Sequence, residues 1–254
     1  MRVRVPPPAP VAAPRARAPR SFAAPRLPHP PATSPHAPTI HLIGIPTDIN
    51  SSFLRGPAGA PAAIRAAIAA CPGPLIALSG DHAISFPVVE TLPVAPAAST
   101  YCISMPTPIL YDELDGNRRS HASPFARIME GGHARRLVQV GIRTLNRHCR
   151  AQAARFGVEI IEARHFNDAW RPRFDRPLYV SIDIDALDPA YAPGVSHHEP
   201  GGLNVRQIVN ILADLDGPII GGDVVELNPD RDPTGITATV AAKLVRELAA
   251  AIAA

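Results

Sequence analysis

The stretch "SIDIDALDP" sets two carboxylates, Asp183 and Asp185, two residues apart at the end of a strongly apolar run that reads as a strand. A period of two sends both side chains to one face. Two like charges buried side by side are costly unless a shared proton or a cation lies between them, and a divalent metal is the natural compensation. The competing reading makes these acids caps of the following turn, acting with Asp188 and Pro189. In "SGDHAIS", His82 stands just past a glycine-containing strand end and at the start of a helix. Alone it reads as a core or capping histidine. Beside the D-x-D strand it becomes an imidazole among carboxylates, a donor set that suits manganese better than zinc. His121 in "SHASPF" and Glu226 in "IIGGDVVEL" are weaker signals, equally at home near a helix start and at a solvated strand end.

These residues need a scaffold, and the sequence supplies one. Short apolar runs, "IHLIGI" (40–45), "LIAL" (75–78), "LVQVG" (137–141), "VEII" (158–161), "LYVSIDI" (178–184) and "IIGGDVVEL" (219–227), alternate with helix candidates. The helices are expected near 60–70, 84–92, 122–130, 145–156, 205–215 and 236–252, the last two with Ile, Leu and Val at 3.6-residue spacing. Strand and helix in alternation imply an α/β fold of three layers, α-β-α, around a mainly parallel sheet. Ligands of such sheets sit at the carboxyl ends of the strands. Asp81 and His82, Asp183 and Asp185, and Asp223 and Glu226 all fall at such ends.

Residues 1–39 hold twelve prolines and six arginines with no acid. Proline at this density blocks helix and sheet alike, so a disordered extension is expected there, with a single domain over 40–254. A loose extension or a misassigned start codon is the preferred reading over a transit peptide or a nucleic-acid tail. The net charge of +3 comes from this leader, and the remainder carries a small acidic excess. Nucleic-acid binding by the folded part therefore has little support. Cys71, Cys102 and Cys149 form no C-x-x-C pair and no even framework. With no secretory signal and no apolar run long enough for a bilayer, a cytoplasmic protein that does not bind membranes is expected.

The sequence resembles the ureohydrolases, the arginase and agmatinase family, and within it is read as closest to the agmatinases. The resemblance rests on "GIPTDINSSFLRGPAGAPAAIR", "SGDHAIS", "YDELDGNRRSHASPFARIMEGGHARRLVQVGIR", "SIDIDALDPAYAPGVSHHEPGGL" and "GGDVVELNPDRDPTGITATVAAKLVREL", in order over nearly all of 40–254. It implies an arginase-like fold with two Mn²⁺ ions that hydrolyses a guanidino group. By the same resemblance His82 is a ligand of one ion, Asp183 bridges both, and Asp185 is a ligand of the second. His121 matches a proton-shuttling histidine and Glu226 the acid that holds the guanidinium. The expected reaction turns agmatine, a small guanidino substrate, into putrescine and urea, as in polyamine biosynthesis. Homo-oligomers are usual in such a family.

One segment departs from the pattern. The family draws its other three ligands from a D-A-H-x-D strand end, and alignment through "LYDEL" puts Met105, Thr107 and Ile109 at those positions. None of the three ligates a hard cation, so His82, Asp183 and Asp185 are expected to hold one metal at most, and weakly. Arg65 is also only 15 residues from Gly80, so the domain is shortened between about 66 and 78. Ser99–Ile109 can be encoded so that, with one G placed in front, the same bases read Val-His-Val-Leu-His-Phe-Asp-Ala-His-Pro-Asp, the missing motif. The invariable codon of Met105 permits this. The alternative to an active hydrolase is thus an impaired or inactive family member, either a pseudoenzyme or the product of a frame-shifted gene. Codons across this stretch that cannot be shifted into D-A-H-P-D would end the frame-shift explanation.

Overall fold

The structure, a computed structural model, describes residues 39–45, 74–92, 99–103 (backbone only) and 108–254. Its centre is a parallel sheet of β1 (His41–Gly44), β2 (Leu75–Leu78), β3 (Ser99–Ile103), β4 (Arg136–Ile142), β5 (Glu159–Glu162), β6 (Leu178–Asp183) and β7 (Ile219–Val225). The spatial order is β1-β2-β7-β6-β3-β4-β5. Five α-helices among the described residues cover it: α1 (Ser85–Thr91), α2 (Pro124–Glu130), α3 (Arg147–Phe156), α4 (Val205–Ala213) and α5 (Ile236–Ala253).

The apolar runs explain the layers. On β6, Leu178, Val180 and Ile182 enter one core with Ile208 and Leu212 of α4 and Leu244 and Leu248 of α5. Tyr179 points the other way, into a second core with Val88 of α1, Phe125 and Ile128 of α2 and Ala153 of α3. Strand alternation sends Ser181 and Asp183 to that second face as well. One strand thus feeds an all-apolar layer on one side and a track of increasing polarity on the other, ending at the carboxyl edge.

Helix boundaries follow local chemistry. Asn204 and Gln207 form a reciprocal capping box at the start of α4, with Gln207 N–H donating to Asn204 Oδ1 at 2.8 Å and Asn204 N–H to Gln207 Oε1 at 3.0 Å. Asn146 caps α3 by accepting from the Cys149 N–H, and Gly157, at φ 64°, ends that helix in the left-handed conformation glycine favours.

Five of the six expected helices are found within a few residues of their expected limits, and the mainly parallel three-layer arrangement is present. The helix expected near 60–70, residues 66–73 of the shortened stretch and nearly all of the 1–39 extension lie outside the described residues. Two strands stop short of their apolar runs. β6 ends at Asp183 because its carboxylate caps the next turn, accepting from the Asp185 N–H. β7 ends at Val225 because Glu226 turns to φ 68°. β3 was not among the expected runs; its backbone fills the gap between β6 and β4, where Thr, Tyr and Ile favour extended chain.

Gly222 marks a tight crossing. A Cβ there would collide with the Val180 carbonyl of β6 and press on Leu248 of α5. Gly222→Ala is expected to destabilise the fold by about 1–3 kcal/mol, read as a lower urea midpoint, whereas substitution of Gly44, which has open space around it, should shift the midpoint far less.

Candidate metal centre and active site

At the carboxyl ends of β2, β6 and β7 the chain buries a group of ionisable side chains. Ser181 holds the key to their protonation. Its hydroxyl lies 2.5 Å from Asp223 Oδ1 and 2.9 Å from His82 Nε2. Asp223 is encircled by hydroxyls, accepting also from Tyr179 at 2.6 Å and Ser85 at 2.7 Å. A hydroxyl has one proton. When Ser181 gives it to Asp223, its oxygen accepts from His82 Nε2–H, and this assigns the tautomer. The lone pair of Nδ1 then faces Asp183 Oδ2 across 2.8 Å. Two lone pairs at that distance require a positive charge between them, either a proton on Asp183 or a cation.

The electrostatics agree. Burial lowers the His82 imidazole to about 4, so it is neutral at pH 7, and burial raises the Asp183 carboxyl to about 8. The His82–Asp183 contact is therefore not an ion pair in the metal-free protein, despite its short distance. The Nδ1 lone pair and the Asp183 oxygen that share the proton are the atoms that would share a metal.

Asp185 differs. Asp183 ends its strand and Ile184–Ala186 forms a 3-10 turn, so the expectation that strand periodicity carries both acids to one face is corrected. The turn-capping alternative holds for one oxygen of Asp183 and for Asp188, whose carboxylate accepts from Ala190, Gly201 and Gly202 N–H groups. It fails for Asp185. This side chain is 1 % exposed, and neither of its oxygens accepts a hydrogen bond within normal distance from the described residues. Its carboxyl is raised to about 7, first by burial and then by Asp183 beside it. A buried carboxylate with unoccupied lone pairs suits a hard cation, and His82, Asp183 and Asp185 are donor types that suit a divalent metal, although as placed the ligand atoms that lie within 4.8 Å of one another among the described residues are those of Asp185, His197 and Glu226.

Glu226 closes the site from β7. Its Oε1 accepts from the His82 backbone N–H at 2.8 Å, and its carboxyl is raised by burial and by Asp183 and Asp185. The left-handed backbone of Glu226 is unusual for a residue with a side chain, and such strain concentrates at functional sites. His121, nearly buried, stacks on His197 with ring centroids 5.8 Å apart. His197, from the "SHHEPGGL" stretch, is a site residue that motif spacing does not mark; its Nδ1 stands 3.5 Å from Asp185 Oδ2, and this carboxylate raises its pKa. The signal that could have found it is the histidine pair twelve residues beyond the D-x-D strand. Among the described residues, ligand atoms of Asp185, His197 and Glu226 all lie within 4.8 Å of one another.

The structure places His82, Asp183, Asp185 and Glu226 at the carboxyl ends of β2, β6 and β7, with His121 joined to them through its stack on His197. Met105 and Thr107 lie outside the described residues. Ile109 is 1 % exposed and packs in the second apolar core with Leu110 and Phe125, offering no ligand. β3 ends at Ile103, paired with Ile182 one residue before Asp183, so the divergent segment begins beside the site.

Residues 71–251 match the arginase family model. The chain belongs to the arginase family. A mitochondrial arginase of Medicago truncatula is 54% identical over 192 residues, covering 70% of this chain and 55% of the relative. A solved arginase from M. truncatula superposes with a TM-score of 0.71 at 50% identity, covering 76% of this chain and 65% of that one. The N(1)-aminopropylagmatine ureohydrolase of Thermus thermophilus is 35% identical over 164 residues, 61% of this chain and 55% of the relative. The chain spans about half the length of the curated relatives it matches. The arginases are thus more similar to it than this agmatine-derivative hydrolase, and the agmatinase leaning becomes a question of substrate.

The buried acids set a pH dependence for the metal-free protein. Unfolded, Asp183 and Asp185 titrate near their ordinary value of about 3.9; folded, they hold their protons to about 8 and about 7. The folded state binds more protons in that window, so their contribution is full at low pH and lost as pH rises through the folded values. His82 acts oppositely, but only between about 4 and its unfolded value of about 6.5. Chelator-treated protein should therefore show a lower urea midpoint at about pH 8.5 than at about pH 6.5, and Asp185→Asn should reduce the difference. A midpoint that rises over this interval would contradict the assignment.

Proposed function

We propose that this chain is a guanidino hydrolase of the arginase family, its centre reduced to the ligands His82, Asp183 and Asp185. The observation that carries the reading is Asp185, buried with both carboxylate oxygens lacking a hydrogen bond beside the facing lone pairs of His82 and Asp183. Manganese suits these hard oxygen donors with one imidazole. His82, Asp183 and Asp185 would hold such a cation, which would supply hydroxide near neutral pH by lowering the pKa of water.

The chain's own residues do the rest. Glu226, anionic once a cation offsets its neighbours, pairs with the guanidinium and orients the carbon. Ser181 and Asp223 hold the His82 ring in the tautomer that keeps Nδ1 free. His121 lies close enough to the surface to pass a proton between solvent and the leaving amine, with His197 stacked on it. Urea and an amine are the products. Arginine and agmatine both present the reacting group; similarity to arginases favours the first, and the motif reading favoured agmatine.

Ile109 supports a second reading. An isoleucine sealed in the core at an expected ligand position fits a family member that keeps the fold and has lost turnover. The two readings part on manganese titration by calorimetry and urea release from arginine and agmatine. The chain as it stands should bind one ion weakly and turn over slowly. Combined Met105→Asp, Thr107→His and Ile109→Asp substitutions should raise the rate by at least about 100-fold and bring the stoichiometry to two. No urea and no manganese binding by either protein would remove the hydrolase reading.

A further inference from the structure

We propose that His197, Asp185 and Glu226 form a divalent-cation position of their own, with His197 Nδ1 as the nitrogen ligand. This differs from the His82–Asp183–Asp185 ligand set in taking its nitrogen from His197, on the loop after β6, and a carboxylate from Glu226 at the end of β7.

Two separate observations support it. The first is convergence: one ligand atom from each residue lies within 4.8 Å of the others, a span that a single ion bridges with metal–oxygen bonds of about 2.3–2.6 Å, or with shorter ones after a small inward rotation of the side chains. The second is the unsatisfied Asp185 carboxylate, sealed from water and aimed into this group. Among the described residues the ion-pair partner of Asp185 is His197 itself, at 3.5 Å. That is too long for a strong charge-assisted hydrogen bond and leaves room for an ion between them.

The loop carrying His197 is held for this purpose by residues that touch no ligand. Arg143 donates to the backbone carbonyls of Glu199 at 2.6 Å, of Leu187 at 3.3 Å and of Asp185. Asp188 accepts from the Gly201 and Gly202 N–H groups, and Leu203 N–H donates to the Ala186 carbonyl at 3.0 Å. The turn bearing Asp185 and the loop bearing His197 are thus fastened together on both sides of the gap. His197 faces solvent on its outer side, so water can complete the ion's coordination. Because Asp185 is common to both ligand sets, one ion at a time occupies the chain as it stands, which keeps the stoichiometry at one.

Glu226 is also the carboxylate that the guanidino reading gives to the substrate, so the ion and a guanidinium exclude each other there. This consequence rests on that reading; the site does not. The test is Mn²⁺ binding by calorimetry, with and without saturating agmatine, on the full chain, on His197→Gln and on Glu226→Gln. Each substitution should weaken binding by about tenfold or more, and agmatine should weaken it in the unsubstituted chain. Zn²⁺ added to the unsubstituted protein should also shift the His197 imidazole resonances, which covers the case of a variant that fails to fold. Unchanged Mn²⁺ affinity in folded His197→Gln, or unmoved His197 resonances, would overturn the site. Loss of affinity in His197→Gln with no effect of agmatine would sustain the site and instead sink the guanidinium role of Glu226.

Discussion

Nδ1 of His82 and Oδ2 of Asp183 meet across 2.8 Å in a place that water does not reach. Whatever lies between two such lone pairs must be positive, and the rest of the carboxyl edge is arranged around that requirement. Ser181 and Asp223 fix the tautomer that creates it. Asp185 and Glu226 deepen it by adding negative potential, and the metal-free protein answers by keeping protons that carboxyls ordinarily release. Removing one partner from such an arrangement costs more than the pair is worth, because the other is left buried and unsatisfied.

The same requirement explains why the fold survives the divergent segment. An isoleucine in place of a buried carboxylate asks for no counter-charge, and Ile109 adds apolar area to the core of Phe125, Val88 and Leu137. Isoleucine at this position therefore costs the fold nothing. The opposite exchange, a carboxylate at 109, becomes tolerable only when a cation arrives to meet it.

The loop over the site shows how a side chain gains a role through its supports. His197 stands on a short irregular segment, yet Arg143 and Asp188 fasten that segment to the turn bearing Asp185 through backbone groups. A Cβ on Gly202 would strike the Arg143 guanidinium, so the glycine is required for the fastening itself. Loops carry function when a rigid scaffold positions them, and here the scaffold reaches the loop by way of one arginine.

Much of this was legible in the chain alone. Alternating apolar runs and amphipathic stretches determined the layers, since burial of a two-period strand between 3.6-period helices admits few other arrangements. The D-x-D at a strand end, His82 after a glycine and Glu226 after the last strand determined which residues gather, because parallel strands expose one common edge. Tertiary structure decided what each does there. Only folded coordinates distinguish Asp183, which caps a turn and shares a proton, from Asp185, two residues away and left unsatisfied. Only they bring His197 to 3.5 Å of Asp185 from twelve residues along the chain, and only they seal Ile109 in apolar company. Local pattern sets the face and the end on which a side chain emerges; its protonation and partners depend on groups that are distant in sequence and meet only when the layers pack.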